Sequence, residues 1–151
     1  MRRKIIACRP PRIAMSLLFF AGLLHWATPL GRIAVFPSTT LAALLGLGGF
    51  AIMMKAWWQF RQEQVAICPT ATTDKMICNG IYAYTRNPMY LGVVFMLAAV
   101  AVWIGTLPFF AAAVGFFLIV QIAFCPYEES KLRATFGAEY DRYANAVRRW
   151  C

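Results

Sequence analysis

Three long stretches of this 151-residue chain carry no charge. Nineteen uncharged residues separate Arg12 from Arg32, 22 separate Arg32 from Lys55, and 41 separate Arg86 from Glu128. A helix that crosses a bilayer needs about 17–25 apolar residues. The first two stretches therefore hold one span each and the third holds two. The third divides at Gly105-Thr106-Leu107-Pro108, where glycine and proline mark a tight bend. Composition agrees, with 61% hydrophobic and 14% charged residues, where an ordinary soluble domain carries about 45–50% and about 25%. The spacing predicts an all-α fold, a polytopic membrane bundle of four transmembrane helices at about 13–30, 39–60, 88–107 and 108–126 in a single membrane domain.

The formal net charge of +9 would suggest nucleic acid in a soluble domain, but the distribution of basic residues argues for a membrane and no nucleic acid. Arg2, Arg3, Lys4, Arg9 and Arg12 precede the first span, and only Arg32 lies between the first and second. Lys55, Arg61, Lys75 and Arg86 flank the loop after the second span, and Lys131, Arg133, Arg142, Arg148 and Arg149 follow the fourth. The excess of basic residues on cytoplasmic loops then places both termini in the cytoplasm. The first apolar stretch exceeds the usual apolar region of a cleaved signal peptide, about 7–15 residues, so it is expected to remain as a span. Cys8, Cys68, Cys78, Cys125 and Cys151 are odd in number and show no C-x-x-C pair. With His25 the sole histidine, no metal site is expected. Cys151 stands where it cannot begin a prenylation box.

Between the spans, Gly31 to Ser38 reads as a short outer turn. Ala42, Gly46 and Gly49 form a small-residue face that lets a neighbouring backbone approach, either the first helix or a second copy. Arg61 to Arg86 shows no sustained period, and long irregular segments are usually functional. After Glu128, the residues Leu132, Phe136, Tyr140, Tyr143, Val147 and Trp150 recur at steps of three and four. That pattern predicts an amphipathic interfacial helix over about 128–149, kinked at Gly137.

Two polar clusters flank the hairpin of the last two spans. One is Gly80-Ile81-Tyr82-Ala83-Tyr84-Thr85-Arg86-Asn87-Pro88-Met89-Tyr90-Leu91-Gly92, and the other begins at Glu128-Glu129. A helix that leaves and a helix that returns bring the chain back to one level, so Arg86 should neighbour both glutamates and hold them ionised. As local structure, Asn87 and Pro88 are placed to cap and start the third span. The plainer reading of Arg86 with the glutamates is an interfacial ion-pair staple. Tyr140, Tyr143 and Trp150 read as membrane-facing or packing residues, and Gln121 as an amide joining helices.

The pattern Gly80-x-Tyr82-x-x-x-Arg86-Asn87-Pro88-x-Tyr90, followed by Glu128-Glu129-x-x-Leu132-x-x-x-Phe136-Gly137-x-x-Tyr140-x-x-Tyr143, resembles the isoprenylcysteine carboxyl methyltransferase family. Phospholipid methyltransferases share that ground plan, and Asn87-Pro88-Met89-Tyr90 is nearer to them and to bacterial members. The resemblance implies an integral membrane methyltransferase, in a bacterium an inner-membrane one, with S-adenosylmethionine as cofactor. Its implied acceptor is a lipophilic small molecule or lipid, with either a prenylcysteine-like carboxylate or a lipid amine. By the same resemblance Tyr82, Arg86, Asn87, Pro88, Tyr90, Leu91, Glu128 and Glu129 are the expected cofactor-binding residues. The residue types suit that chemistry. Tyrosine faces attract a sulfonium or stack on adenine, and carboxylates accept from ribose hydroxyls or an ammonium. Arg86 and Glu129 are the candidate catalytic residues, the first to grip a carboxylate and the second to take a proton from an amine acceptor. Two other readings remain: an NADPH-dependent enzyme like the sterol reductases, which have a related arrangement, and a non-catalytic membrane scaffold of the same fold.

Overall fold

The structure is a computed structural model that describes residues 10–27, 38–63 and 75–150. The outer turn with Arg32 and Pro37, the basic residues before Pro10, residues 64–74 of the 61–86 loop, and Cys8, Cys68 and Cys151 lie outside the described residues. Every regular element among the described residues is helical. These are α1 (Pro10–Ala27), α2 (Thr39–Gln62), a 3-10 turn (Gly80–Ala83), α3 (Pro88–Ile104), α4 (Leu107–Ile119), a π turn (Val120–Phe124), α5 (Cys125–Phe136) and α6 (Ala138–Ala146).

Local chemistry sets the helix ends. The Ser38 hydroxyl accepts the Leu41 N–H at 3.3 Å and so caps α2. Pro88 and Pro108 occupy the first turns of α3 and α4, where their missing N–H costs nothing. Gly105 (φ 73°) closes α3 and gives the bend expected at 105–108.

Two helices among the described residues are long and apolar enough to cross a membrane, α2 and the run Leu107–Phe136. At 1.5 Å per residue, the 24 residues of α2 extend about 36 Å, against a hydrocarbon core of about 30 Å. α3 is shorter, 17 residues, and α1 carries Pro10, Pro11, Arg12 and His25 within its 18 residues. The outer faces of α1 and α2 present Phe19, Phe20, Leu23, Trp26, Leu44, Leu47 and Phe50, all at least half exposed or nearly so. A continuous apolar exterior of that size marks a membrane or partner surface.

The helices pack in the order α2, α3, α4, α1, with α1 also touching α3. The small-residue face of α2 is taken by α3, not by α1. A Cβ on Gly49 would lie 2.7 Å from the Gly92 carbonyl, and one on Gly92 would lie 2.6 Å from the Gly49 carbonyl. Two backbones in van der Waals contact leave room only for glycine at both positions. On the other side of α3, Leu97, Ala113, Phe116, Val120, Phe124 and Cys125 form a core cluster with Ala14.

Two departures from the expected boundaries concern the site. No break separates α4 from the interfacial segment, because the π turn carries the helix from Ile119 into Cys125. Pro126 lacks an N–H and would crowd the carbonyl of Ile122 in a regular helix, and the wider π turn accommodates it. The helix expected over 128–149 is broken at Gly137 (φ 54°) and stops at Ala146. Val147 is extended (φ −120°, ψ 130°), so residues 147–150 are not helical.

Candidate functional site

The first half of the polar cluster is built on a clasp between α2 and the 3-10 turn. Gln59 donates its Nε2 to the Asn79 carbonyl at 2.9 Å and to Asn79 Oδ1 at 2.6 Å, and its Oε1 accepts the Ile81 N–H at 3.3 Å. Gly80 lies beneath this amide with φ 59°, and a Cβ there would stand 2.5 Å from Gln59 Oε1. The conformation favours glycine, and any side chain there would displace the end of Gln59. The clasp sets Tyr82 into a pocket of Ala56, Ile77, Phe60 and Met89, edge-on to Phe60 at 5.4 Å. Its ring is packed rather than open. From the other side, Tyr143 Oη donates to the Tyr82 carbonyl at 2.7 Å. Burial pushes the Tyr82 and Tyr143 hydroxyls well above the ordinary tyrosine range, so both remain neutral donors.

Arg86, Asn87 and Pro88 then turn the chain into α3. Asn87 stands at the cap position, but its side chain makes no cap bond; Nδ2 donates instead to the Arg149 carbonyl at 3.3 Å. The Leu91 N–H closes on the Asn87 carbonyl at 3.0 Å. Tyr90, one position earlier on α3, donates its hydroxyl to Glu128 Oε1 and lies 6.2 Å from the Phe124 ring.

The two glutamates diverge. Sequence spacing predicts that Arg86 serves both, yet Glu128 turns to Tyr90 while Glu129 faces two arginines. Arg149 grips Glu129 with Nε at 2.7 Å and Nη2 at 2.6 Å, and Arg86 Nη1 stands 3.4 Å from the same carboxylate. Arg86 Nη1 also donates to Tyr140 Oη at 3.1 Å. Burial raises the Tyr140 hydroxyl above its ordinary value, and the Arg86 guanidinium partly offsets that.

The structure thus brings together Arg86, Asn87, Tyr90, Glu128 and Glu129 as expected, with Pro88 fully buried beneath them. It also narrows the reading of three aromatic residues from membrane-facing or packing to packing. Tyr140 is 1% exposed and bonded to Arg86, Tyr143 holds Tyr82, and Trp150 donates its Nε1 to Gln121 at 2.7 Å. The two hydroxyls face inward from α6, and the indole N–H from the segment beyond it. Arg149, Thr85 and Gln59 went unread: in the sequence Arg149 is one basic residue among five beyond the fourth span, and the bidentate partner lies 20 residues away. The Arg148-Arg149-Trp150 run ending the amphipathic pattern was the available signal.

Chemically, the cluster combines two carboxylates, two guanidinium groups and an amide at one end of an apolar bundle. Arg86 Nε is buried without a hydrogen-bond partner. Buried donors of that kind are uncommon and invite an acceptor. A ligand that carries both anionic groups and hydrogen-bond donors fits this donor and acceptor set.

No solved structure matches the chain. An uncharacterised protein of Haemophilus influenzae is 36% identical over 62 residues, which cover 41% of this chain and 98% of that protein. A family model described as phospholipid methyltransferase matches residues 37–139. That match runs from the start of α2 into α6 and takes in Tyr82 to Leu91 and both glutamates, so the chain belongs to the phospholipid methyltransferase family.

Proposed function

We propose that this protein transfers a methyl group from S-adenosylmethionine to a lipophilic acceptor at the cytoplasmic face of a membrane. In this reading α1, α2, α3 and the α4 run are four spans of one membrane domain with both termini cytoplasmic. The observation that carries it is the convergence of Arg86, Asn87 and Tyr90 from the start of α3 with Glu128 and Glu129 from α5. Family membership supports methyl transfer, and the apolar exterior supports an acceptor that arrives from lipid.

When bound, the cofactor supplies a methyl group on a sulfonium centre that is open to in-line attack. Arg86 is suited to hold its carboxylate through the free Nε, and Glu128 or Glu129 to hold its ammonium or ribose hydroxyls. Asn87 adds one donor and one acceptor, while Tyr90 and Leu91 form an aromatic and apolar wall backed by the packed Tyr82 and the buried Pro88. In-line displacement gains most from alignment and exclusion of water, and the buried floor of Pro88, Phe124 and Cys125 supplies both. A carboxylate acceptor needs no base. An amine acceptor must lose a proton, and Glu129 or a tyrosine of the cluster is the candidate for that role.

The test is transfer of labelled methyl groups by purified protein in nanodiscs, with a prenylcysteine, amine-headgroup lipids and a total lipid extract as acceptors. Label in a lipophilic product is expected. NADPH-dependent reduction of a lipid with no label transferred would overturn the reading.

A further inference from the structure

Beyond α6 the chain leaves the helix at Val147 and is held at every residue across the polar cluster. The Val147 N–H bonds to the Tyr143 carbonyl at 2.9 Å, and the Arg148 carbonyl accepts the Arg86 N–H at 3.0 Å. The Arg149 carbonyl accepts both Thr85 Oγ1 at 3.0 Å and Asn87 Nδ2 at 3.3 Å, and its guanidinium occupies both oxygens of Glu129. Trp150 reaches Gln121 in the π turn and lies 5.2 Å from the Phe117 ring.

These contacts use the same groups that a ligand would need. A carboxylate engaged end-on by one guanidinium has little capacity left for an ammonium or a ribose diol, and Asn87 Nδ2 is committed to a backbone carbonyl. The run is also held differently from the rest of the fold. It belongs to no helix, and beyond Val147 its partners are side chains plus one loop amide, each of which a ligand or water can replace singly. Its far end is fixed by the Trp150 indole on an amide within a π turn, a local geometry that recurs at functional sites.

We propose that Val147–Trp150 is a strap that closes the ligand site in competition with ligand, with Trp150 and Gln121 as its latch. Ligand binding requires the strap to lift so that Glu129 and Asn87 change partners. The apparent affinity for ligand is then lowered by the fraction of molecules in which the strap is closed. The ligand's identity rests on the methyl-donor reading above, whereas the strap itself rests on geometry alone.

The Arg86 amide reports directly on the strap, because its partner is the Arg148 carbonyl. Hydrogen exchange at that amide would be measured in wild type, Trp150→Phe and Gln121→Met, the two substitutions that each remove one half of the latch bond, the first keeping an aromatic ring and the second the length of the side chain. Exchange at Arg86 should accelerate roughly tenfold in both variants, the factor set by one net hydrogen bond, with the Leu91 amide of α3 unchanged. S-adenosylhomocysteine should likewise accelerate exchange at Arg86 in wild type, and should bind both variants more tightly. Unchanged exchange in both variants, protection of Arg86 by the product, or loss of product binding in the variants would make the segment a fixed wall and overturn the proposal. Accelerated exchange with no product bound by any of the three proteins would support the strap and contradict the methyl-donor reading, so the two fail separately.

Discussion

Arg149 binds both oxygens of Glu129, at 2.7 and 2.6 Å, across 20 residues of sequence, and Arg86 stands behind it at 3.4 Å. One carboxylate thus fixes α5, the start of α3 and the segment beyond α6 at a single point. The side chains of Glu129, Arg86 and Arg149 are 16%, 16% and 26% exposed, so the cluster is substantially withdrawn from water. Glu129→Gln leaves two guanidinium groups facing a neutral amide. It should destabilise the protein by roughly 3 kcal/mol, the scale for removing one partner of a buried pair. Thermal unfolding in detergent checks this, and an unchanged midpoint would mean that the pair is open to solvent.

Tyr90 and Glu128 form the second polar contact of the site, separate from the first. Tyr90→Phe keeps the ring against Phe124 and removes only the hydroxyl that satisfies Glu128. Stability should fall by about 1–3 kcal/mol, the scale for a buried acceptor left without its donor, and product affinity should fall by about tenfold as Glu128 loses the group that places it. Isothermal titration with S-adenosylhomocysteine measures it.

The contact between α2 and α3 distinguishes glycines that look alike in sequence. Gly49→Ala and Gly92→Ala each drive a methyl group into backbone at 2.7 and 2.6 Å, whereas a Cβ on Gly46 meets Ala99 at an ordinary 3.5 Å. The first two should each cost about 1–3 kcal/mol, the range for overpacking, and Gly46→Ala should be neutral or slightly stabilising. Denaturation of the three variants side by side gives the comparison.

Cys78 precedes the clasped turn. Burial, with a smaller contribution from the Glu139 carboxylate, pushes its thiol above the ordinary cysteine value. A raised value means less thiolate at any given pH. Alkylation by iodoacetamide should therefore be slower at Cys78 than at an unstructured cysteine near neutral pH, and should still be rising where the reference has levelled off. Mass spectrometry of the Cys78 peptide against a free-cysteine peptide, across a pH series, shows the sign.

Helix positions and the bend at 105–108 were legible because they depend on residue spacing, on charge and on local punctuation by glycine and proline. The meeting of Arg86 with Glu129 was legible too, since an antiparallel hairpin returns the chain to its own level. What escaped depends on contacts between distant residues. Pro126 looks like a helix boundary until a π turn makes room for it. Tyr140, Tyr143 and Trp150 follow an amphipathic period that suits lipid contact, and only the packing of α6 and of the segment beyond it turns their polar tips inward. Arg149 counts as one more basic residue at the membrane surface until Val147 leaves the helix and carries it onto Glu129.

Calorimetric titration of the purified protein with S-adenosylmethionine, S-adenosylhomocysteine and NADPH in parallel tests the central claim most directly. Saturable binding of the first two, weakened by Glu128→Gln combined with Glu129→Gln, and none of NADPH is the expected result. Binding of NADPH alone, or of none of the three, would contradict the account.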